Sequence, residues 1–137
     1  MTVRDLMTYQ PVTVAGRTSL TDVARRMREN DIGDVLVAED GRLTGILTDR
    51  DLVVRAMADG GDPDRLCADD ICSTEPVSVA PGDEVDHAID LMRSLSVRRI
   101  PVVEDGRPVG ILSLGDLAIE RDRGSALAEI SAAASTS

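Results

Sequence analysis

Two short patterns in this chain set a hydroxyl three residues ahead of a carboxylate: Thr48-Asp-Arg-Asp51 and Ser113-Leu-Gly-Asp116, each directly after Gly-Ile-Leu. Each sits where an apolar run gives way to a helix start. Backbone amides of a first helical turn, one hydroxyl and one carboxylate together can hold a sugar diol and a phosphate. The same spacing is also that of a capping box, with Ser or Thr at the cap and an acidic residue at the third helical position. The two readings are compatible.

Other reactive residues offer less. His87 is the one histidine; it stands beside Ala88 in a helical stretch that carries Asp86 and Asp90, with no serine, cysteine or metal partner specified, and reads as a surface residue. Cys67 and Cys72 match neither a disulfide framework nor a CxxC redox motif, so they read as reduced structural thiols. Zinc requires more ligands than these supply. Arg98 and Arg99 form a local cluster that can attract one small anion, or can make solvated ion pairs with the abundant carboxylates. No spacing positions a general acid against a base. The expectation is a protein that is not an enzyme and requires no metal or cofactor.

Bulk composition narrows the partners. The chain has 25 Asp plus Glu against 15 Lys plus Arg, a formal charge of -10, which repels a phosphate backbone and disfavours nucleic acid or an anionic membrane as main partner. With no Phe, no Trp and a single Tyr, Tyr9, it also lacks stacking platforms for single-stranded nucleic acid. No run of about eighteen apolar residues occurs and Met1-Thr-Val-Arg-Asp5 lacks a signal-peptide stretch, so a cytoplasmic location is expected. The core must be aliphatic.

The elements that position the two patterns come from an internal repeat. Residues 5–52 shifted by 65 positions lie over 70–117 without an insertion. Pro11-Val-Thr-Val-Ala15 falls on Pro76-Val-Ser-Val-Ala80, and Val37-Ala-Glu-Asp-Gly-Arg42 falls on Val102-Val-Glu-Asp-Gly-Arg107. Each copy reads as a βαββα unit. Strands are expected at Val12–Val14 and Val77–Val79, at Val35–Ala38 and Leu43–Leu47, and again across 100–112. Asp-Gly between the last two strands signals a tight hairpin. The first helix carries Leu20, Val23, Ala24 and Met27 on one stripe, its twin Val85, Ala88, Ile89, Met92 and Leu95. Ser19-x-x-Asp22 and Asp83-x-x-Asp86 mark their starts. Second helices are expected at about 49–58 and 114–121. The halves divide as 1–60, a polar linker at 61–66, 67–123, and a low-complexity tail at 124–137 that is expected to fray.

Residues 3–122 resemble a tandem pair of cystathionine β-synthase-type (CBS) domains, a Bateman module. The resemblance is carried by Asp5-Leu-Met7, Pro11-Val-Thr-Val14, Met27-Arg-Glu-Asn-Asp-Ile-Gly33 and Gly45-Ile-Leu-Thr-Asp-Arg-Asp-Leu52. In the second copy it is carried by Asp70-Ile71, Pro76-Val-Ser-Val79, Val97-Arg-Arg-Ile-Pro-Val-Val103 and Gly110-Ile-Leu-Ser-Leu-Gly-Asp-Leu117. It implies an α/β fold of two repeats packed by pseudo-twofold symmetry, with a cleft between them that takes AMP, ADP, ATP or S-adenosylmethionine. It further implies that Asp51 and Asp116 bind ribose hydroxyls beside Thr48 and Ser113, that Thr13 and Ser78 shape the base pocket, and that Val12 and Val77 supply backbone and apolar contact. Arg50, Arg98 and Arg99 would meet phosphates. The copies differ here: Arg98-Arg99 lies over Gly33-Asp34, Leu114-Gly115 over Asp49-Arg50, and Pro101 over Leu36. One competent and one weakened site is therefore expected. The implied role is a regulatory module acting on a separate protein, as a homodimer; the alternative is a ligand-independent interaction or dimerisation module.

Overall fold

The computed structural model describes residues 1–121, so the expected tail at 124–137 lies outside the described residues. The chain is mixed α/β and runs α1 (Val3–Leu6), β1 (Thr8–Tyr9), β2 (Thr13–Val14), α2 (Leu20–Asn30), β3 (Asp34–Glu39) and β4 (Arg42–Thr48). It continues through α3 (Asp49–Asp51), which passes into a π-helical turn (Leu52–Met57), then α4 (Ala68–Ile71), β5 (Ser73–Thr74), α5 (Val85–Leu95), β6 (Arg99–Glu104), β7 (Arg107–Ser113) and α6 (Leu114–Arg121).

Local chemistry accounts for most of these bounds. Ser19 caps α2, its hydroxyl accepting from the Asp22 amide at 3.1 Å. α5 starts differently from the expectation: Glu84 holds the cap position without a side-chain bond, and Asp83 turns back to accept from the Ala80 amide at 2.9 Å. Leu20, Val23 and Met27 are buried along α2, but Ala24 is exposed, and on α5 Leu95 is exposed while Val85, Ala88 and Met92 are buried. Both hairpins turn on two residues with positive φ, Asp40-Gly41 at 52° and 79° and Asp105-Gly106 at 55° and 80°. That is the geometry that a primed turn demands.

One expected strand is reduced. Val12 accepts from the Leu36 amide at 2.9 Å, and β2 runs parallel to β3 with Thr13 opposite Leu36. In the second copy only Val79 makes a parallel bridge, to Val102. Pro101 stands in place of Leu36 and has no N–H, so Val77 loses the corresponding ladder bond.

The described residues divide into two compact units that do not coincide with the sequence repeats: one combines Met1–Pro11 with residues 77–121, the other is Val12–Pro76. The first carries β1-β7-β6, the second β2-β3-β4-β5. The lead of each repeat thus completes the sheet of the other. β1 pairs antiparallel with β7, Tyr9 opposite Gly110, and β5 pairs antiparallel with β4, Thr74 opposite Gly45. The chain crosses at Pro11 and Pro76, each preceded by a residue in the left-handed region, Gln10 at 53° and Glu75 at 49°. The segment 61–66 is tied to its own unit through bonds from the Leu20 amide to the Leu66 carbonyl and from the Thr21 amide to the Pro63 carbonyl.

Each unit has its own core. Val3 and Met7 of α1 and its end enter the core built on β6, β7 and α5; Ala68, Ile71 and Cys72 enter the one built on β3, β4 and α2. Burial pushes the Cys72 thiol above its ordinary pKa, with Asp69 adding to the effect. The leads fit closely because the facing strand carries glycine. A Cβ on Gly110 would meet the Thr8 carbonyl and Met7 Sδ at 2.8 Å, and one on Gly45 would meet the Ser73 carbonyl at 2.9 Å and Cys72 Sγ at 2.8 Å. Gly110→Ala or Gly45→Ala is expected to cost about 1–3 kcal/mol in chemical denaturation. Hydrogen exchange should rise first at residues 3–9 or 68–74 respectively. Gly82→Ala, with nothing within 4 Å, should be close to neutral.

Candidate functional site

Both hydroxyl–carboxylate patterns form capping boxes. The Thr48 amide donates to Asp51 Oδ2 at 2.9 Å and the Asp51 amide donates to Thr48 Oγ1 at 3.2 Å. At the other junction the Ser113 amide donates to Asp116 Oδ2 at 3.0 Å and the Asp116 amide to Ser113 Oγ at 3.1 Å. All four side chains are half-buried. Such a junction forms because the strand ends on a residue whose side chain satisfies the third helical amide.

Sheet register sets what surrounds each junction. In the Val12–Pro76 unit, Thr48 lies opposite Asp34 at the start of β3, and the Asp49 amide donates to the Gly33 carbonyl at 2.9 Å. β2 runs parallel to β3 and enters at the same end. Val12, Thr13, Thr48, Arg50 and Asp51 therefore gather at one end of one sheet. In the other unit Ser113 lies opposite Arg99, and the Leu114 amide donates to the Arg98 carbonyl at 2.7 Å. Val77, Ser78, Arg98, Arg99, Ser113 and Asp116 gather at the corresponding end. The two sets belong to different units.

The two ends differ in charge and in spare bonding capacity. A Cβ on Gly33 would lie 2.9 Å from the Asp49 carboxylate, so Gly33 and Asp49 go together, as Arg98 and Leu114 do in the second copy. The first end thus carries Asp34, Asp49 and Asp51 with Arg50, the second Asp116 with two arginines. Arg55, which the sequence reading passed over, reaches Asp51 Oδ1 with its Nε at 3.9 Å, and its Nη1 donates to the Ile71 carbonyl at 2.8 Å. The i,i+4 spacing of Asp51 and Arg55 was the available signal. Among the described residues Asp116 Oδ1 has no such partner.

Two further boxes were not anticipated. Thr2 donates its amide to Asp5 Oδ2 at 2.9 Å and Cys67 donates to Asp70 Oδ2 at 2.8 Å, starting α1 and α4 at equivalent repeat positions. Among the described residues no three of His, Cys, Asp and Glu form a metal-binding group, and no helix is long and apolar enough to cross a membrane. His87 is exposed on α5.

With this geometry in place, comparison defines the class of protein. The family model of the CBS domain matches residues 3–57 and 68–122, and the chain belongs to this family, carrying two such domains. It is similar to the CBS domain-containing protein YhcV of Bacillus subtilis, 38% identical over 133 residues covering 94% of each chain. It is also similar to hypoxic response protein 1 of Mycobacterium tuberculosis, 36% identical over 118 residues covering 85% of this chain and 82% of that one. The crystal structure of that protein with two coordinated zinc ions superposes with a TM-score of 0.79 at 35% identity, covering 86% of this chain and 97% of the other. The CBS domain pair of MJ0100, solved in complex with 5'-methylthioadenosine and S-adenosyl-L-methionine, shares the fold with a TM-score of 0.79 at 24% identity, covering 88% and 95%.

The capping role has its own pH signature at Asp5. The Thr2 backbone hydrogen bond, aided by the Thr2 hydroxyl, the chain's amino group and Arg4, holds its carboxyl below the ordinary aspartate value against a smaller desolvation effect. A depressed folded pKa means that the contribution is present above the unfolded pKa and is lost as pH falls through the folded one. NMR titration should place the Asp5 midpoint below 3.8. Asp5→Asn should remove that part of the acid-side loss of stability.

Proposed function

We propose that this CBS-domain pair is a regulatory module that binds an adenosine-containing metabolite, AMP, ADP, ATP or S-adenosylmethionine, at the Ser113–Asp116 sheet end. Occupancy alters its affinity for a separate regulated protein, and no covalent step is involved. One observation carries the reading: a single sheet end gathers a carboxylate oxygen without a described partner at Asp116, two guanidinium groups at Arg98 and Arg99, and a Val77 carbonyl that Pro101 cannot engage. The carboxylate suits a ribose diol, the guanidinium groups suit phosphate or carboxylate, and the carbonyl suits the amino group of a base. At the other end Val12 is already bonded to Leu36, and Asp51 is shared with Arg55. The MJ0100 pair, which shares the fold, was solved with 5'-methylthioadenosine and S-adenosyl-L-methionine; the case for this chain rests on its own residues.

Calorimetric titration with each of these four adenosine-containing ligands tests this. At least one should bind saturably and raise the melting temperature by mass action. Asp116→Ala should weaken binding about tenfold or more, the loss expected for a hydrogen bond to a charged group, and Asp51→Ala should weaken it less. No heat and no thermal shift with any of the four would overturn the reading.

A second reading has its own support. Val53, Val54 and Met57 stand 55%, 47% and 68% exposed on the turn after α3, beside a cavity of about 550 Å³ between that turn and α2. An apolar face of this kind suits a second copy of the chain as homodimer partner, with or without ligand. Analytical ultracentrifugation should show a dimer at micromolar concentration that Met57→Asp converts to monomer. A wild-type monomer throughout would remove this reading.

A further inference from the structure

We infer that Arg55 is a positioning residue that couples the state of the Asp51 carboxylate to the exchanged segment α4–β5, with the π-helical turn as the element that responds. Arg55 lies within Leu52–Met57, where the Ala58 amide donates to the Val53 carbonyl at 2.9 Å, and just beyond it the Gly61 amide donates to the Ala56 carbonyl at 3.0 Å. Both bonds span five residues. A π-helical stretch is rare, and it persists where other contacts hold it. Here Arg55 bridges from the turn to two places at once, Asp51 Oδ1 at 3.9 Å and the carbonyl of Ile71, the last residue of α4, at 2.8 Å. The equivalent helix of the second copy, α6, is α-helical, and Glu120 occupies the position of Arg55. Among the described residues the wide turn and the guanidinium thus occur together in the first copy alone.

The consequence follows from sharing. A group that engages Asp51 Oδ1 competes with Arg55, and α4 feels the competition because the same guanidinium caps its last carbonyl. The proposed ligand end is that of Asp116, so the coupling stands apart from that reading and is testable without any ligand. Asp51→Asn keeps an acceptor for the Thr48 amide while removing the charge that Arg55 faces.

Hydrogen exchange on the full chain should be measured for the parent, Asp51→Asn, Arg55→Ala and the double variant, with amides of α2 as internal reference. Asp51→Asn should change exchange at residues 68–74 by about threefold when Arg55 is present, and leave it unchanged in the Arg55→Ala background. Arg55→Lys, which keeps the charge, should restore part of the effect. Equal effects in both backgrounds, or none, would overturn the coupling. Titrations of the same variants with AMP, ADP, ATP and S-adenosylmethionine separate the two proposals. Coupling without binding of any of the four sinks the ligand reading alone, whereas binding with no dependence of 68–74 on Arg55 sinks the coupling alone.

Discussion

The constraint on which the rest of the structure depends is that neither sequence repeat completes its own sheet. β1 and β5 are two residues each, far too short to hold position by ladder bonds alone. What holds them is burial: Val3 and Met7 on one side and Ile71 and Cys72 on the other are at most 8% exposed, each large side chain contributing roughly 1.5–3 kcal/mol. The close approach is possible only over Gly110 and Gly45, where a methyl group would strike backbone oxygen. The crossings at Pro11 and Pro76 follow residues in a left-handed conformation that side chains disfavour, so the surrounding packing must outweigh local strain. Because each sheet includes the other copy's lead, a disturbance at α4 reaches the sheet that carries Thr48 and Asp51.

Within this near-symmetric frame, two exchanged pairs separate the copies chemically. Leu36 against Pro101 decides whether the first strand of the copy is laddered: an N–H binds Val12, while a proline leaves Val77 outside the ladder. Gly33 with Asp49 against Arg98 with Leu114 decides the charge at the sheet end. The backbone bond joining these positions is kept in both copies, at 2.9 Å and 2.7 Å. Side-chain chemistry has therefore diverged on a conserved backbone contact between the copies, which is how a repeat can retain its fold while its two ends serve different partners.

Much of this was legible in the residues. The repeat, the Asp-Gly turns and the Ser/Thr-x-x-Asp junctions are local signals, and local signals survive folding when burial reinforces them. The exchange of leads was not legible, since repeat matching shows that 68–74 is equivalent to 3–9 but is indifferent to which sheet each joins. α1 and α4 were missed because four-residue helices have too few turns for periodicity. Asp83 was misjudged as a cap because a carboxylate near a helix start serves equally well in the preceding turn, where it binds Ala80. Ala24 and Leu95 were assigned to buried stripes by spacing, yet a stripe's edge is buried only where a neighbour covers it. For the site residues the sequence supplied their identities and the sheet register supplied their grouping; Arg55 required the position of Ile71, which lies sixteen residues on.

A capping box and a ligand site at the same carboxylate need not compete, because a carboxylate has two oxygens with separate lone pairs. At both junctions Oδ2 is taken by the backbone amide of the capping residue, so the cap is satisfied without Oδ1. The cap bond restrains the carboxylate rotamer at the strand end and leaves Oδ1 out of the cap. At Asp116 that oxygen has no described partner, while at Asp51 it faces Arg55 across 3.9 Å. Any group approaching Asp51 Oδ1 therefore meets a guanidinium that is also bonded to the Ile71 carbonyl. The same capping box thus leaves Oδ1 in two different settings, because the element that follows it differs between the copies.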